Sequence, residues 1–334
     1  MKAWQIKETH SLELNELSSQ SVNSESVKVK ILSSAISRAD IDIYNGALEL
    51  EDSLILGRQA VGFISETGNE VKNLARGNRV VMYPFASCKQ CLYCKSGKSY
   101  NCENHKIFGQ TKDGFFKDFA VVAQGDMYLI PERLSDHDAI FTEHVAMALN
   151  TLLKLDVQKG EHLVIIGATA FGVILAQVAI YYQAIPVLVD TDSSMLEIAQ
   201  NLGIYYTSNS VDEDPFKRIF SLTGSKMADA VVYVSQSSMP FTRAIAYSKI
   251  KGKMAIVGKD SKIDIKTTLN DFVNKSMSLI SVTDCGKNYA TAINLLSNKS
   301  IVVSPLIKQE ILFDDLGEYI KNLEPSPKKT IVKH

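Results

Sequence analysis

The stretch "EHLVIIGATAFGVILAQVAIYYQ", Glu161 to Gln183, restricts the fold of this chain more than any other. A continuous apolar run of strand length meets a glycine-marked turn, and a long apolar helix pattern leaves it. The pattern then repeats. "IPVLVD" reads as a strand and "SSMLEIAQNLG" as a helix, "FKRIFSLTG" as another helix, and "ADAVVYVS", "KMAIVG" and "MSLISVT" as further strands. Strands that are apolar throughout and alternate with helices belong to a parallel sheet covered on both faces. The second part of the chain is therefore expected to be a doubly wound α/β domain.

Between its first strand and helix lies "GATAFG", Gly167 to Gly172. A dinucleotide-binding turn of the Rossmann kind wants glycine first for the tight turn, second for approach of the pyrophosphate, and third for helix packing. Here Gly167 and Gly172 hold the outer places, Thr169 the middle one, and Phe171 precedes the last. Asp190 closes the next strand, 23 residues after Gly167. A carboxylate there accepts hydrogen bonds from a ribose diol and repels a 2′-phosphate, which favours NAD(H) over NADP(H). The Thr169 side chain must turn away, or it would hold the pyrophosphate off the helix N-terminus.

The first third differs. In "SVKVKIL", Val27, Val29 and Ile31 share one face, and "NRVVMYP" and "DFAVVA" follow glycine-marked turns. This pattern predicts a β-rich domain to about Ala146, then a helix through "HVAMALNTLLKL". After Cys285 come a helix in "YATAINLLSN", the extended "VVSPLIKQEI" and a final "KTIVKH".

Four of the five cysteines, Cys88, Cys91, Cys94 and Cys102, fall within fifteen residues. Soft thiolates at this spacing suit tetrahedral zinc, and a site without an open position is structural. The metal would fold a lobe at about 86–104 that is too polar to hold its own shape. Cys285 reads as a small buried hydrophobe. With 46% apolar and 22% charged residues and a net charge of −1, the 334 residues suit a soluble, two-domain protein. They give no electrostatic reason to expect nucleic acid or membrane as partner. No signal-peptide core or spanning segment is expected, and the cytoplasm is the expected location.

Together these features, with "VKVKILSSAISRADIDIYNG", "LGRQAVGFISETGNEV", "RGNRVVMYPFASC" and "GFFKDFAVV", resemble the medium-chain dehydrogenase/reductase superfamily in its zinc-type alcohol dehydrogenase branch. The resemblance implies a GroES-like catalytic domain from residues 1–147 and 285–334, a Rossmann domain over 148–284, and an active site in the cleft between them. It also implies a small-molecule substrate and a homodimer or homotetramer.

In that family a catalytic zinc takes a cysteine, the histidine of a Gly-His-Glu motif, and a later cysteine or glutamate. The matching positions here are Ser37, Arg58 (with Gln59 for the neighbouring glutamate) and Glu143, the last in the style of polyol and threonine dehydrogenases. Asp40, which the resemblance places behind the ligand histidine, is kept, as is Arg38, where some members hold the cofactor pyrophosphate. Ala39 and Asp42 replace the proton relay. Serine is a poor zinc ligand and arginine cannot shed its proton to become one, so the catalytic zinc is expected to be lost. A buried Arg58 needs a carboxylate, and Glu143 or Asp40 is the expected partner in the former metal site. Ser37, Asp40, Arg58 and Glu143 are then the candidate catalytic residues, with Asp42, Tyr44 or Ser37 as possible proton sources. Three functions follow: an NAD(H)-dependent oxidoreductase acting on a small carbonyl, alcohol or activated alkene; a non-catalytic relative serving as a nucleotide-binding sensor or scaffold; and a conventional zinc alcohol dehydrogenase, which would hold two zinc ions per chain where one is expected.

Overall fold

The computed structural model describes residues 1–50, 52–234, 239–258, 269–324 and 326–334. Two compact units emerge, Met1–Glu143 with Leu306–His334, and His144–Pro305.

The first unit is built on a sheet in the order Met127–Leu129, Arg79–Met82, Gln59–Thr67, Ser26–Ala35, Lys329–Lys333, Ile307–Leu312, with Phe119–Ala123 also pairing with Ser26–Ala35. Alternation in "SVKVKIL" works as expected: Val27, Val29 and Ile31 are buried together with Ile64, Val80, Met82, Phe108 and Phe115. A second cluster joins Trp4, Ile6, Ile36, Ile43, Ile55, Phe116, Phe313 and Val332, and the Trp4 indole N–H donates to the Phe313 carbonyl at 2.8 Å. The final strand lies between two others and is buried at four successive residues, Lys329 to Val332. Its register sets Ile331 opposite Ala35 and Val332 opposite Ser34, which brings Lys329 level with the turn at Ile36 and Ser37.

Among its described residues the second unit carries a sheet of six strands in the order Tyr206–Asn209, Ile185–Asp190, His162–Ile166, Ala228–Val234, Ser248–Val257, Ser278–Val282. Every adjacent pair is parallel. This is the 3-2-1-4-5-6 order of a doubly wound dinucleotide-binding sheet. The final serine of "ADAVVYVS" lies outside the described residues. Helix Ala170–Tyr181 is apolar on all sides and buried along ten successive residues, as a helix inside an α/β layer must be.

Residues 285–305 group with this second unit, although the sequence places the return to the first at 285. Side-chain contact with helix Ala170–Tyr181 underlies the difference: Gln177 and Val302 exchange hydrogen bonds at 3.0 and 2.9 Å. Among the described residues no helix is long and apolar enough to cross a membrane.

Gly57 joins the two clusters of the first unit. Its φ of +96° suits glycine, and a Cβ there would lie 2.6 Å from Phe116 Cδ1 and 2.7 Å from the Phe116 nitrogen. Gly57→Ala is expected to cost about 2 kcal/mol or more in urea unfolding; an unchanged midpoint would show that this crossing is not tight.

Candidate functional site

Local chain geometry assembles three groups of side chains. The first is the cysteine lobe. Short helical turns at Leu92–Lys95 and Ser99–Asn101 fold the segment back on itself. The four ligand atoms of Cys88, Cys91, Cys94 and Cys102 then lie within 4.8 Å of one another. Cys88 Sγ is 4.0 Å from Cys94 Sγ, and Cys91 Sγ is 4.0 Å from Cys102 Sγ. Zinc bonded tetrahedrally at about 2.3 Å sets sulfur atoms roughly 3.8 Å apart, so the donor set fits that ion. Backbone N–H groups already favour charge here: Cys91 N–H donates to Cys88 Sγ and Cys88 N–H to Cys102 Sγ. The N–H groups of Gln90 and Cys91 draw the Cys88 thiol down to about 6. Desolvation and the neighbouring Cys91 and Cys102 thiols push Cys94 up to about 12. Crowded thiols resist joint ionisation until a cation joins them.

The second group surrounds Glu143. Strand Ser26–Ala35 runs through Ile36 into Ser37, the N-cap of helix Arg38–Tyr44. Ser37 and Asp40 form a capping box: the Ser37 N–H and hydroxyl both donate to Asp40 Oδ2, at 2.7 and 2.6 Å. Gly57 N–H donates to Asp40 Oδ1 at 2.8 Å. Asp40 is fully buried, and burial raises its carboxyl pKa against the downward pull of these hydrogen bonds.

Arg58 points inward. Its Nε and Nη2 reach Glu143 Oε1 at 2.7 and 2.6 Å, while Gln59 Nε2 donates to Glu143 Oε2 at 2.5 Å. The Arg58 and Glu143 side chains are 17% and 6% exposed, so the pair is held away from solvent. The guanidinium carbon also lies 4.9 Å over the Phe85 ring, a cation–π contact. Of the two partners foreseen for Arg58, Glu143 is the one in contact. Arg38 instead donates from Nε to Asp42 Oδ1 at 2.7 Å, one helical turn along, with 38% of its side chain exposed.

Sequence reasoning missed Lys329. The residue is only 9% exposed and its Nζ donates to the Ile36 carbonyl at 3.4 Å. Burial drives its pKa down to about 8, while the charges of Glu143 and Asp40 act upward and that of Arg58 downward. A lysine near the end of a chain ordinarily reads as a solvated charge. Nothing in "KTIVKH" alone marks it as a central strand, because that depends on its pairing with two other strands.

The third group is the glycine turn of the second unit. Gly167 has a φ of +113°, and a Cβ on Gly172 would fall 1.9 Å from the Gly167 carbonyl oxygen. Gly167 is thus required by its backbone conformation and Gly172 by contact. Thr169 turns back onto the helix as its N-cap, its hydroxyl accepting from Gly172 N–H at 3.3 Å. Phe171 is buried, with its ring 6.5 Å from that of His144. Asp190 is buried and accepts from Ala168 N–H at 2.5 Å through Oδ2, and from Thr191 and Asp192 N–H at 2.6 and 3.0 Å through Oδ1. The acid and the turn are therefore joined directly.

The chain as a whole is similar to known proteins. Residues 23–132 match the model of the alcohol dehydrogenase GroES-like domain, and residues 170–298 that of the zinc-binding dehydrogenases. An uncharacterized zinc-type alcohol dehydrogenase-like protein of Haemophilus influenzae is 30% identical over 304 residues, covering 90% of this chain and 88% of that protein. The sorbitol dehydrogenase of Halalkalibacterium halodurans is 26% identical, covering 85% of this chain and 84% of the enzyme. A zinc-binding dehydrogenase from Sinorhizobium meliloti, solved bound to NADP, superposes with a TM-score of 0.90 at 20% identity, over 100% of this chain and 99% of that one.

The geometry around Glu143 makes a quantitative prediction. Arg58→Met strands a buried carboxylate and is expected to cost about 3–5 kcal/mol, and Glu143→Gln a similar amount. The double variant should recover about 1–3 kcal/mol of the summed loss in urea unfolding. Simple additivity would show that the pair is not coupled.

Proposed function

Because the chain belongs to the zinc-type alcohol dehydrogenase family of the medium-chain dehydrogenase/reductase superfamily, we propose that it is an NAD(H)-dependent oxidoreductase with a structural zinc and no catalytic zinc. Its reaction is hydride transfer to or from a small carbonyl, alcohol or activated alkene. The observation that carries this reading is the Arg58–Glu143 pair, backed by Gln59, which takes both oxygens of the one remaining candidate ligand. Ser37 is likewise engaged with Asp40.

The structural zinc would sit on Cys88, Cys91, Cys94 and Cys102. Residues Gly167, Thr169, Phe171, Gly172 and Asp190 would hold the dinucleotide. Bound there, the nicotinamide supplies or accepts the hydride. Asp190 supports the preference for NAD(H). Its Oδ2 has one lone pair beyond the bond from Ala168 N–H to offer a ribose hydroxyl, and its charge opposes a 2′-phosphate. Around the substrate, Arg58 offers a fixed positive charge to an oxygen that gains negative charge during transfer.

The same saturation of Glu143 also favours a second reading, a non-catalytic nucleotide-binding relative. Turnover separates the two: oxidation of sorbitol or reduction of small ketones and enones supports the enzyme, and cofactor binding without any turnover supports the sensor.

Two measurements test the rest. In fluorescence titrations NADH is expected to bind at least about tenfold more tightly than NADPH, and Asp190→Ala to narrow the gap. Equal or tighter NADPH binding would overturn the cofactor preference. Metal analysis of the dialysed protein is expected to give one zinc per chain. Ser37→Cys with Arg58→His, which rebuilds a ligand set beside Glu143, should raise that to two; two zinc ions in the unaltered protein would sink the proposal of a lost catalytic metal.

A further inference from the structure

A reductase or dehydrogenase without a Lewis-acidic metal still has to deliver a proton to the oxygen that the hydride leaves charged, or remove one from an alcohol. The residues that sequence reasoning offered for this task are occupied elsewhere. The Ser37 hydroxyl donates to Asp40 at 2.6 Å. Asp42 accepts from Arg38 at 2.7 Å. Tyr44 packs into the apolar cluster of Trp4, Ile43, Ile55 and Phe116, edge-on to His10 at 5.2 Å. Asp40 has both oxygens engaged and is fully buried. Glu143 is held by Arg58 and Gln59, and Arg58 cannot release a proton near neutrality.

Lys329 is different. An ammonium has three donors, and Lys329 places one of them on the Ile36 carbonyl at a long 3.4 Å. It keeps 9% of its surface, and it sits within the fields of Asp40, Arg58 and Glu143, the charged groups that act on it from the helix after Ser37, from the turn after Gly57 and from the start of helix Thr142–Leu155. A nine-tenths-buried amine with spare donors, set by its strand register against the turn at Ile36 and Ser37, calls for an oxygen ligand.

We propose that Lys329 is the group that holds the reacting oxygen of the substrate and exchanges a proton with it. This deepens the proposed function and rests on it. In reduction, the carbonyl carbon receives the hydride, the carbonyl π electrons move to oxygen, and that oxygen takes a proton from the Lys329 ammonium, leaving the neutral amine to be reprotonated by solvent. In oxidation the neutral amine would take the hydroxyl proton as the carbinol carbon gives up a hydride, for which a bound oxidised nicotinamide would be the acceptor. Arg58 keeps its proton throughout and stabilises the charged oxygen. Burial suits Lys329 to both directions, because it brings the amine down to about 8, where both protonation states are populated near neutral pH.

The test has two arms on the zinc-loaded, full-length protein. First, NMR of lysine labelled with ¹³C at the ε position, with Lys329 assigned by its loss in Lys329→Met, should show this one side chain titrating near 8 and shifting on addition of trifluoroethanol, an acidic alcohol. An ordinary lysine titration, or indifference to the alcohol, overturns the proposal and can be observed whether or not NADH binds. Second, sorbitol oxidation should rise, and fructose reduction fall, as pH passes through about 8. Lys329→Met should flatten both profiles and lower kcat by about 100-fold or more, with NADH affinity unchanged; Lys329→Arg, folded and charged but unable to titrate, should not restore the rate. Turnover that keeps its rate and pH profile in Lys329→Met overturns this role while leaving the oxidoreductase reading intact. Failure of the unaltered protein to bind either NADH or NADPH overturns that reading, and this role falls with it.

Discussion

The first unit's site depends on one buried carboxylate being fully engaged. Glu143 stands at the start of a helix with 6% of its side chain exposed, and alone its charge would be expelled or neutralised. Arg58, next to Gly57, supplies the countercharge, and Gln59, the first residue of strand Gln59–Thr67, a second donor. Such a pair adds little net stability, because desolvation of two charges offsets most of their attraction. Its effect is geometric: the turn, the helix start and the capping box at Ser37 are held in one arrangement. The contact Gly57 makes with Asp40 links the ion pair to that box through adjacent residues.

The cysteine lobe meets the same electrostatic constraint in another way. Four thiols within 4.8 Å cannot all ionise without a cation, whereas the carboxylate at 143 has its cation built into the chain. One site therefore offers a donor set whose spacing fits zinc. The other is neutralised by a guanidinium that is permanently charged and cannot coordinate a metal. The sum over Asp40, Arg58, Glu143 and a protonated Lys329 is zero, as it must be near enough for a buried cluster to persist.

Much of this was legible in the sequence because it is local. The alternation in "SVKVKIL", the strand–turn–helix at Gly167 and the spacing of the cysteines each depend on near neighbours and on periods fixed by backbone geometry. Arg58 and Glu143 lie 85 residues apart, and their pairing was foreseen by the need of a buried guanidinium for a carboxylate once the family motif had aligned them. Lys329 had no such signal. Its burial follows from a parallel pairing with Ile307–Leu312 on one side and an antiparallel pairing with Ser26–Ala35 on the other, and neither register can be read from "KTIVKH" alone. The division at 305 rather than 285 likewise rests on side-chain hydrogen bonds between distant segments, such as that of Gln177 with Val302.

Two hydroxyls at the candidate site positions Ser37 and Thr169 serve instead to begin helices. Ser37 caps Arg38–Tyr44 and Thr169 caps Ala170–Tyr181. For Thr169 this role resolves a steric conflict: by bending back to Gly172, the side chain leaves the mouth of the turn and satisfies an N–H that a helix start would otherwise leave unpaired. A threonine in the middle place is thus compatible with an anion at the helix N-terminus. For Ser37 the consequence is the opposite, since a hydroxyl that donates to a buried carboxylate has no proton to spare for a substrate. Capping thus keeps the dinucleotide turn open while it removes a reactive group from the neighbourhood of Glu143. The amine of Lys329, held by a single long bond to a carbonyl, is left as the group there with donors still to place.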